Sequence, residues 1–376
     1  MRNIADAGFA GEILPVNPRH DEVSGRPCLR DVADLPDGVD CAVICTLAAT
    51  VPGIVTALAA KGVRAAVVIS AGLGAGADSP RRAVLDAARP RGMRIVGPNC
   101  LGVAAPRIGL NATFAQAGPM AGDLALLSQS GAIITTLIDW ANDRHIGFSG
   151  MVSLGDMAEV DFGDLLDWYA SDPGTRAILL YVEAITRPKK FMSAARAAAR
   201  AKPVVVIKSG RHAAAAKAAS SHTGALAGSD EVYDAAFRRA GILRVDDLEE
   251  LFSAAETLSR VKPFRGDRIA VLTNGGGVGV LAVDHIAGAG HAERAVARDD
   301  GGAGRGSARD VVAWQSRRHR RRCGRNALLG GARGACRRRH DRRGAGDELS
   351  HRTRLECRGG GSRGDESNLV RFMRHN

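Results

Sequence analysis

Residues 124–141 read LALLSQSGAIITTLIDWA. LALLS is apolar almost throughout, and GAIITTLIDWA spaces its apolar residues at helical intervals. The chain is therefore expected to pass from a strand ending at Ser128 into a helix opening at Ser130–Gly131. A strand apolar along its whole length has both faces covered, which is characteristic of parallel sheet. The same alternation extends from Gly11 to about Val283. Apolar runs EILPV (12–16), CAVICTL (41–47), RAAVVIS (64–70), MRIVG (93–97), GMVSLG (150–155), AILLYVE (177–183), PVVVIKSG (203–210) and RIAVLTN (268–274) predict strands. Between them, VPGIVTALAAKG (51–62), FGDLLDWYASDPG (162–174), DEVYDAAFRRAG (230–241) and LEELFSAAETLSR (248–260) predict helices.

Strands alternating with helices imply doubly wound α/β domains in tandem. Pro and Gly collect near Gly118–Gly122 and Val261–Gly266, where boundaries are expected. The division that follows is a first domain at 1–119, a second at 120–262, the opening of a third at 263–290, and a disordered tail at 291–376. MRNIADAGFAG (1–11) reads as the end of a helix, so the first domain is expected to lack its opening strand and Gly-rich turn. With so little chain in the third segment, strand RIAVLTN is expected to have no partner strands.

The 376 residues carry a formal net charge of +12, with 45% hydrophobic residues. The charge is concentrated: residues 291–376 hold 22 arginines, no lysine and 10 acidic residues. Residues 1–290 are therefore neutral overall. A basic tail could bind nucleic acid by phosphate contacts. Only two aromatic residues, Trp314 and Phe372, fall among these arginines and no recognition motif is present, which argues against that partner. Arginine without lysine instead predicts GC-rich codons read out of frame. A permitted translation one base later, from Gly290, has helix and strand patterns and few arginines. An interrupted reading frame near residues 288–291 is expected, together with a start placed too late.

The seven cysteines show no CxxC and no metal spacing, so no metal site is expected. Cys41 and Cys45 lie on one apolar run and read as strand-core residues. No signal core and no apolar run of membrane-spanning length is present, which makes a reduced cytoplasmic setting the default.

Three segments carry chemistry. In ASSHTGALAGSD (219–230), His222 sits in a small-residue loop before a helix, where a phosphate could approach the ring. A lone histidine is more often structural than catalytic. At the strand-to-helix turn, the hydroxyls of Ser128 and Ser130 and free N–H groups around Gly131 could bind phosphate. Ser130 also suits an ordinary N-cap. Glu183 falls at the C-terminal end of an apolar strand, where open α/β sheets place functional groups. A carboxylate there could orient a histidine ring, or could be a solvent-facing strand end.

Together these segments resemble the ADP-forming (NDP-forming) acyl-CoA synthetases, relatives of the succinyl-CoA synthetase α subunit. The resemblance runs from about Gly8 to Gly290. It is carried by SSHTGALAGSD (220–230), GPNCLGV (97–103), SQSGA (128–132), SLGDMAEVDFGDLLDWYASDP (153–173) and TNGGGVGVLAVD (273–284), in order. It implies a Rossmann-like CoA-binding domain followed by a flavodoxin-like domain. It further implies that His222 is the phosphorylated nucleophile, that Glu183 orients it, and that Ser128, Ser130 and Gly131 cradle phosphate. Asn17, Pro18, Ser70 and Asn99 would line the CoA site. The reaction implied is acyl-CoA, ADP and phosphate to acid, CoA and ATP, with CoA and a small carboxylic acid as ligands. ADP, ATP and Mg2+ would be handled by an ATP-grasp domain or subunit outside this chain, so the chain alone is expected to be inactive. The competing reading is a non-catalytic CoA- or acyl-CoA-binding module.

Overall fold

A computed structural model describes residues 1–211, 229–261, 268–273, 276–288, 296–298 and 310–315. Residues Met1–Lys262 form one compact unit and Pro263–Asn376 a second.

The first unit opens with helix α1 (Arg2–Asp6) and a small antiparallel hairpin of β1 (Glu22–Val23) and β2 (Arg26–Pro27). The expected strand at 12–16 does not form. Only Val16 makes an isolated bridge, to Leu29. Pro15 interrupts the run just before that bridge, and proline supplies no N–H to a ladder.

A three-stranded parallel sheet follows: β3 (Cys41–Ile44), β4 (Ala65–Val68) and β5 (Arg94–Val96). It is connected through α2 (Val51–Ala60) and α3 (Pro80–Ala88). Helix α3 starts where its sequence dictates, with Pro80 in the first turn and the Ser79 hydroxyl accepting from Arg82 N–H. Ile44, Val55, Val68, Val84 and Ile95 form its core. Cys41 and Cys45 are exposed, contrary to the core placement expected from the sequence. Strand β3 is an edge strand. Its Ala42–Ile44 face packs inward, while Cys41, Val43 and Cys45 occupy the other face.

The second sheet has seven strands, in the order β12-β11-β10-β8-β9-β6-β7. They are β6 (Gly102–Ala105), β7 (Leu110–Thr113), β8 (Ala121–Ser128), β9 (Phe148–Ser153), β10 (Ala177–Val182), β11 (Val204–Lys208) and β12 (Leu243–Val245). Five run parallel. The β6–β7 hairpin joins antiparallel at β9, so residues before the expected 119/120 division are hydrogen-bonded into the second sheet. The helices are α4 (Gly131–Asp143), α5 (Phe162–Ser171), α6 (Pro188–Ala201), α7 (Asp230–Ala240) and α8 (Leu248–Arg260). One face packs Leu127, Leu180 and Val206 against Phe162, Phe191 and Phe237 of α5, α6 and α7. The other packs Leu126, Leu179 and Val205 against Leu137 of α4 and Leu251 of α8. Each such buried side chain contributes about 1.5–3 kcal/mol, and this two-sided burial is why the strands read as uninterrupted apolar runs.

The two sheets are joined by close backbone contact between residues 95–101 and 153–160. Asp156 N–H donates to Pro98 O, Ala158 N–H to Gly97 O, and Val160 N–H to Ile95 O, at 2.9–3.1 Å. Gly155 has a φ of +52°, and a Cβ there would lie 2.2 Å from Pro98 O.

In the second unit, β13 (Arg268–Thr273) precedes α9 (Gly276–Gly288), with Val271 packed under Ala282, Val283 and Ile286. Contrary to expectation, β13 has partners: β15 (Asp310–Gln315) pairs antiparallel with it, and β14 (Val296–Arg298) pairs with β15. DVVAWQ is the most β-prone run after residue 291, and it satisfies the open edge of β13.

Candidate functional site

Five parallel strands of the second sheet end at one edge. Ser128 is the last residue of β8 and is fully buried. Its hydroxyl donates to Ser130 O at 2.8 Å and accepts from Ser130 N–H at 3.0 Å. Ser130 N-caps α4, accepting from Ile133 N–H at 3.4 Å. Both hydroxyls thus shape the turn that aims the helix N-terminus, whose first N–H groups have no intrahelical partner. At Gly131 a Cβ would lie 3.1 Å from Leu101 Cβ, so the helix start fits closely under the GPNCLGV segment.

Glu183 follows β10 by one residue and is half-buried. Tyr181 pairs with Ser128 across the ladder, which brings the two ends together. His222, the expected nucleophile, lies outside the described residues. The strand before it, β11, ends at this edge beside Val182.

Two further groups at this edge escaped the sequence reading. Gln129, between the two serines, accepts from Glu183 N–H at 2.7 Å and Ala184 N–H at 2.9 Å. Lys208 is 2% exposed, its ammonium 4.6 Å from the ring centroid of Tyr233 and donating to Ser209 O. Burial pushes its pKa down. Asp230 and Glu183 oppose that shift and Arg244 adds to it. Lysine ending the hydrophobic run VVVIK was the available signal, since it closes a strand buried at every position, on the same face as Val204 and Val206.

In the first domain, Asn99 N–H donates to Ser70 O at 3.0 Å, so these two expected CoA-site residues are neighbours. The buried Ser70 hydroxyl donates to Thr46 O, and Asn99 Nδ2 donates to Asp156 Oδ1 at 3.1 Å. Asn99 adopts a φ of +57°, which asparagine tolerates better than most residues. Asn17 and Pro18 form a separate turn. Asn17 accepts from Arg19 N–H, and Pro18 O accepts from Arg30. Nearby Cys100 is buried, and burial pushes its thiol up to about 12.

Among the described residues, no cluster of His, Cys, Asp or Glu could hold a metal ion, and no helix is long and apolar enough to cross a membrane. A groove of about 640 Å³ lies at the opposite edge, lined by Lys202, Val205, Leu243 and Leu258, away from Ser128 and Glu183.

A three-stranded parallel sheet of Rossmann-like type, joined to a seven-stranded sheet with helices on both faces, defines the class as a tandem α/β protein with a flavodoxin-like second domain. The family model for a CoA-binding domain matches residues 1–106, and that for a succinyl-CoA ligase-like flavodoxin domain matches residues 121–258. The ADP-forming acetate–CoA ligase I of Archaeoglobus fulgidus is 44% identical over 287 residues, 76% of this chain and 41% of that protein. The α subunit of the ADP-forming acetate–CoA ligase I of Pyrococcus furiosus is 42% identical over 291 residues, 76% of this chain and 63% of that subunit. The dinucleotide-forming acetyl-CoA synthetase 1 of Ca. Korarchaeum cryptofilum, solved with phosphate and ADP, superposes with a TM-score of 0.72 at 39% identity, covering 76% of this chain and 62% of that one. The chain belongs to the ADP-forming acyl-CoA synthetase family. It spans about two fifths to three fifths of the length of these relatives.

Proposed function

We propose that this chain supplies the CoA-binding and phosphoryl-relay portion of an ADP-forming acid–CoA ligase. The observation that carries the reading is the convergence of Ser128, Ser130 and Glu183 at the sheet edge where β11 ends, the strand that leads toward His222. Acyl-CoA and phosphate would give an acyl phosphate and free CoA. A lone pair of the His222 imidazole then forms an N–P bond as the P–O bond to the acyl group breaks. The acid leaves as a carboxylate with the bonding electrons. Glu183 would orient the ring, and the α4 N-terminus with Ser128, Ser130 and Gly131 would hold the phosphate. The phosphoryl group would pass to ADP in an ATP-grasp partner, which would also hold Mg2+. Asn17, Pro18, Ser70 and Asn99 would face CoA. Relatives named for acetate support a small carboxylic acid as substrate.

The test is incubation of the full chain with 32P-labelled acetyl phosphate. Acid-labile, alkali-stable label that is lost in His222→Ala supports the reading. Label that survives the substitution sinks it. We also read residues 263–290 as the opening of a third domain and residues 291–376 as out of frame. Resequencing the gene across codons 287–310 would reveal a single-base insertion or deletion, and a confirmed frame would end that reading.

A further inference from the structure

We propose that Gln129 is a positioning residue that sets the Glu183 carboxylate, an inference resting on the roles read above for His222 and Glu183. The β8–β10 ladder ends at the Ser128–Tyr181 pair. Beyond it the backbone of Gln129 makes one more link, its N–H donating to Tyr181 O at 3.3 Å. Its side chain then takes over. One amide oxygen accepts from two consecutive N–H groups, those of Glu183 and Ala184, at 2.7 and 2.9 Å. The next N–H, of Ile185, donates to the Tyr233 hydroxyl at 3.3 Å. Three successive backbone donors are thus satisfied by side chains rather than by main chain.

This arrangement makes residue identity matter. Two adjacent N–H groups converging on one oxygen form a nest, which restrains the φ and ψ of the residues that supply them. Glu183 is one of those residues, so its Cα–Cβ direction is set by Gln129. Because both donors are backbone N–H groups, the contacting atom must be the amide oxygen. Ala184 is buried, and a buried N–H left without an acceptor is costly, so an apolar side chain at position 129 would force the turn to rearrange. Gln129 lies between Ser128 and Ser130, so the residue that orients the carboxylate is built into the phosphate turn itself. The two halves of the site therefore cannot shift independently.

The test is a double-mutant cycle in the full chain, read as the rate of labelling of His222 by 32P-labelled acetyl phosphate. Gln129→Met keeps the side-chain length and removes the acceptor. It is expected to slow labelling by about tenfold to a hundredfold, and to add less than about twofold in a Glu183→Gln background, because its effect acts through that carboxylate. Gln129→Glu keeps an acceptor oxygen at the same reach and is expected to label several-fold faster than Gln129→Met. CoA affinity by calorimetry should be unchanged in both. Labelling of Gln129→Met at the parent rate, multiplicative effects with Glu183→Gln, or equal rates for the Met and Glu variants would each overturn the proposal while leaving the functional reading intact. A parent chain that takes no label would overturn both.

Discussion

Arg94, on the last strand of the first sheet, binds Asp164 in the first turn of α5 at 3.0 Å. The same guanidinium binds Glu159 at 2.8 Å, and Lys190 holds the far side of Asp164. The Asp164 carboxyl is also half of a capping box with Asp161. One carboxylate therefore serves a helix cap and a link between the two sheets.

That carboxylate predicts an acid-sensitive component of stability. Burial alone would raise Asp164, but the hydrogen bonds from Lys190, the Asp161 backbone and Arg94 outweigh it and hold the carboxyl at about 2. A carboxyl held below its ordinary value stabilises the fold above that value, and the contribution fades as pH falls from about 4 toward 2. Allowing for solvent screening, it is worth about 1 kcal/mol. Thermal melts of Asp164→Asn against the parent should show a deficit at pH 7 that narrows by pH 3. A constant deficit would contradict the assignment.

Gly155→Ala is expected to damage the junction between the sheets. The new Cβ would lie 2.2 Å from Pro98 O and 2.3 Å from Asn99 O, on a backbone at φ +52°. Positive φ costs about 1–3 kcal/mol for a non-glycine residue before the clash is counted. The melting temperature should fall and CoA binding should weaken through displacement of Asn99, both measurable on one preparation. A variant with parental CoA affinity would place Asn99 outside the CoA site.

Cys100 should behave as a buried, inert thiol. With its thiol pushed up to about 12, only about one part in ten thousand is thiolate at pH 8. Iodoacetamide on the native protein, followed by peptide mapping, should leave Cys100 unmodified until denaturant is added. Native alkylation would mean the GPNCLGV turn opens readily.

Phe148→Ala removes a fully buried ring at the start of β9. The expected loss is about 3–5 kcal/mol, read by denaturant titration of the second domain. A loss below about 1 kcal/mol would mean the site collapses around the cavity.

The sequence by itself determined the strand–helix alternation of the second domain. Leu124–Leu127, Ile178–Leu180 and Val204–Val206 are buried on both faces, so composition alone marks them as parallel strands. Ser130 marked a helix start, because a capping side chain acts within three residues of itself. Only the tertiary structure decided that the 102–113 hairpin joins the second sheet, that Cys41 and Cys45 sit on an uncovered edge, that Lys208 is buried under Tyr233, and that Gln129 holds Glu183. The physical reason is separation along the chain. Gln129 and Glu183 are 54 residues apart, and no local periodicity records which backbone donors a side chain will meet once two strand ends are brought side by side.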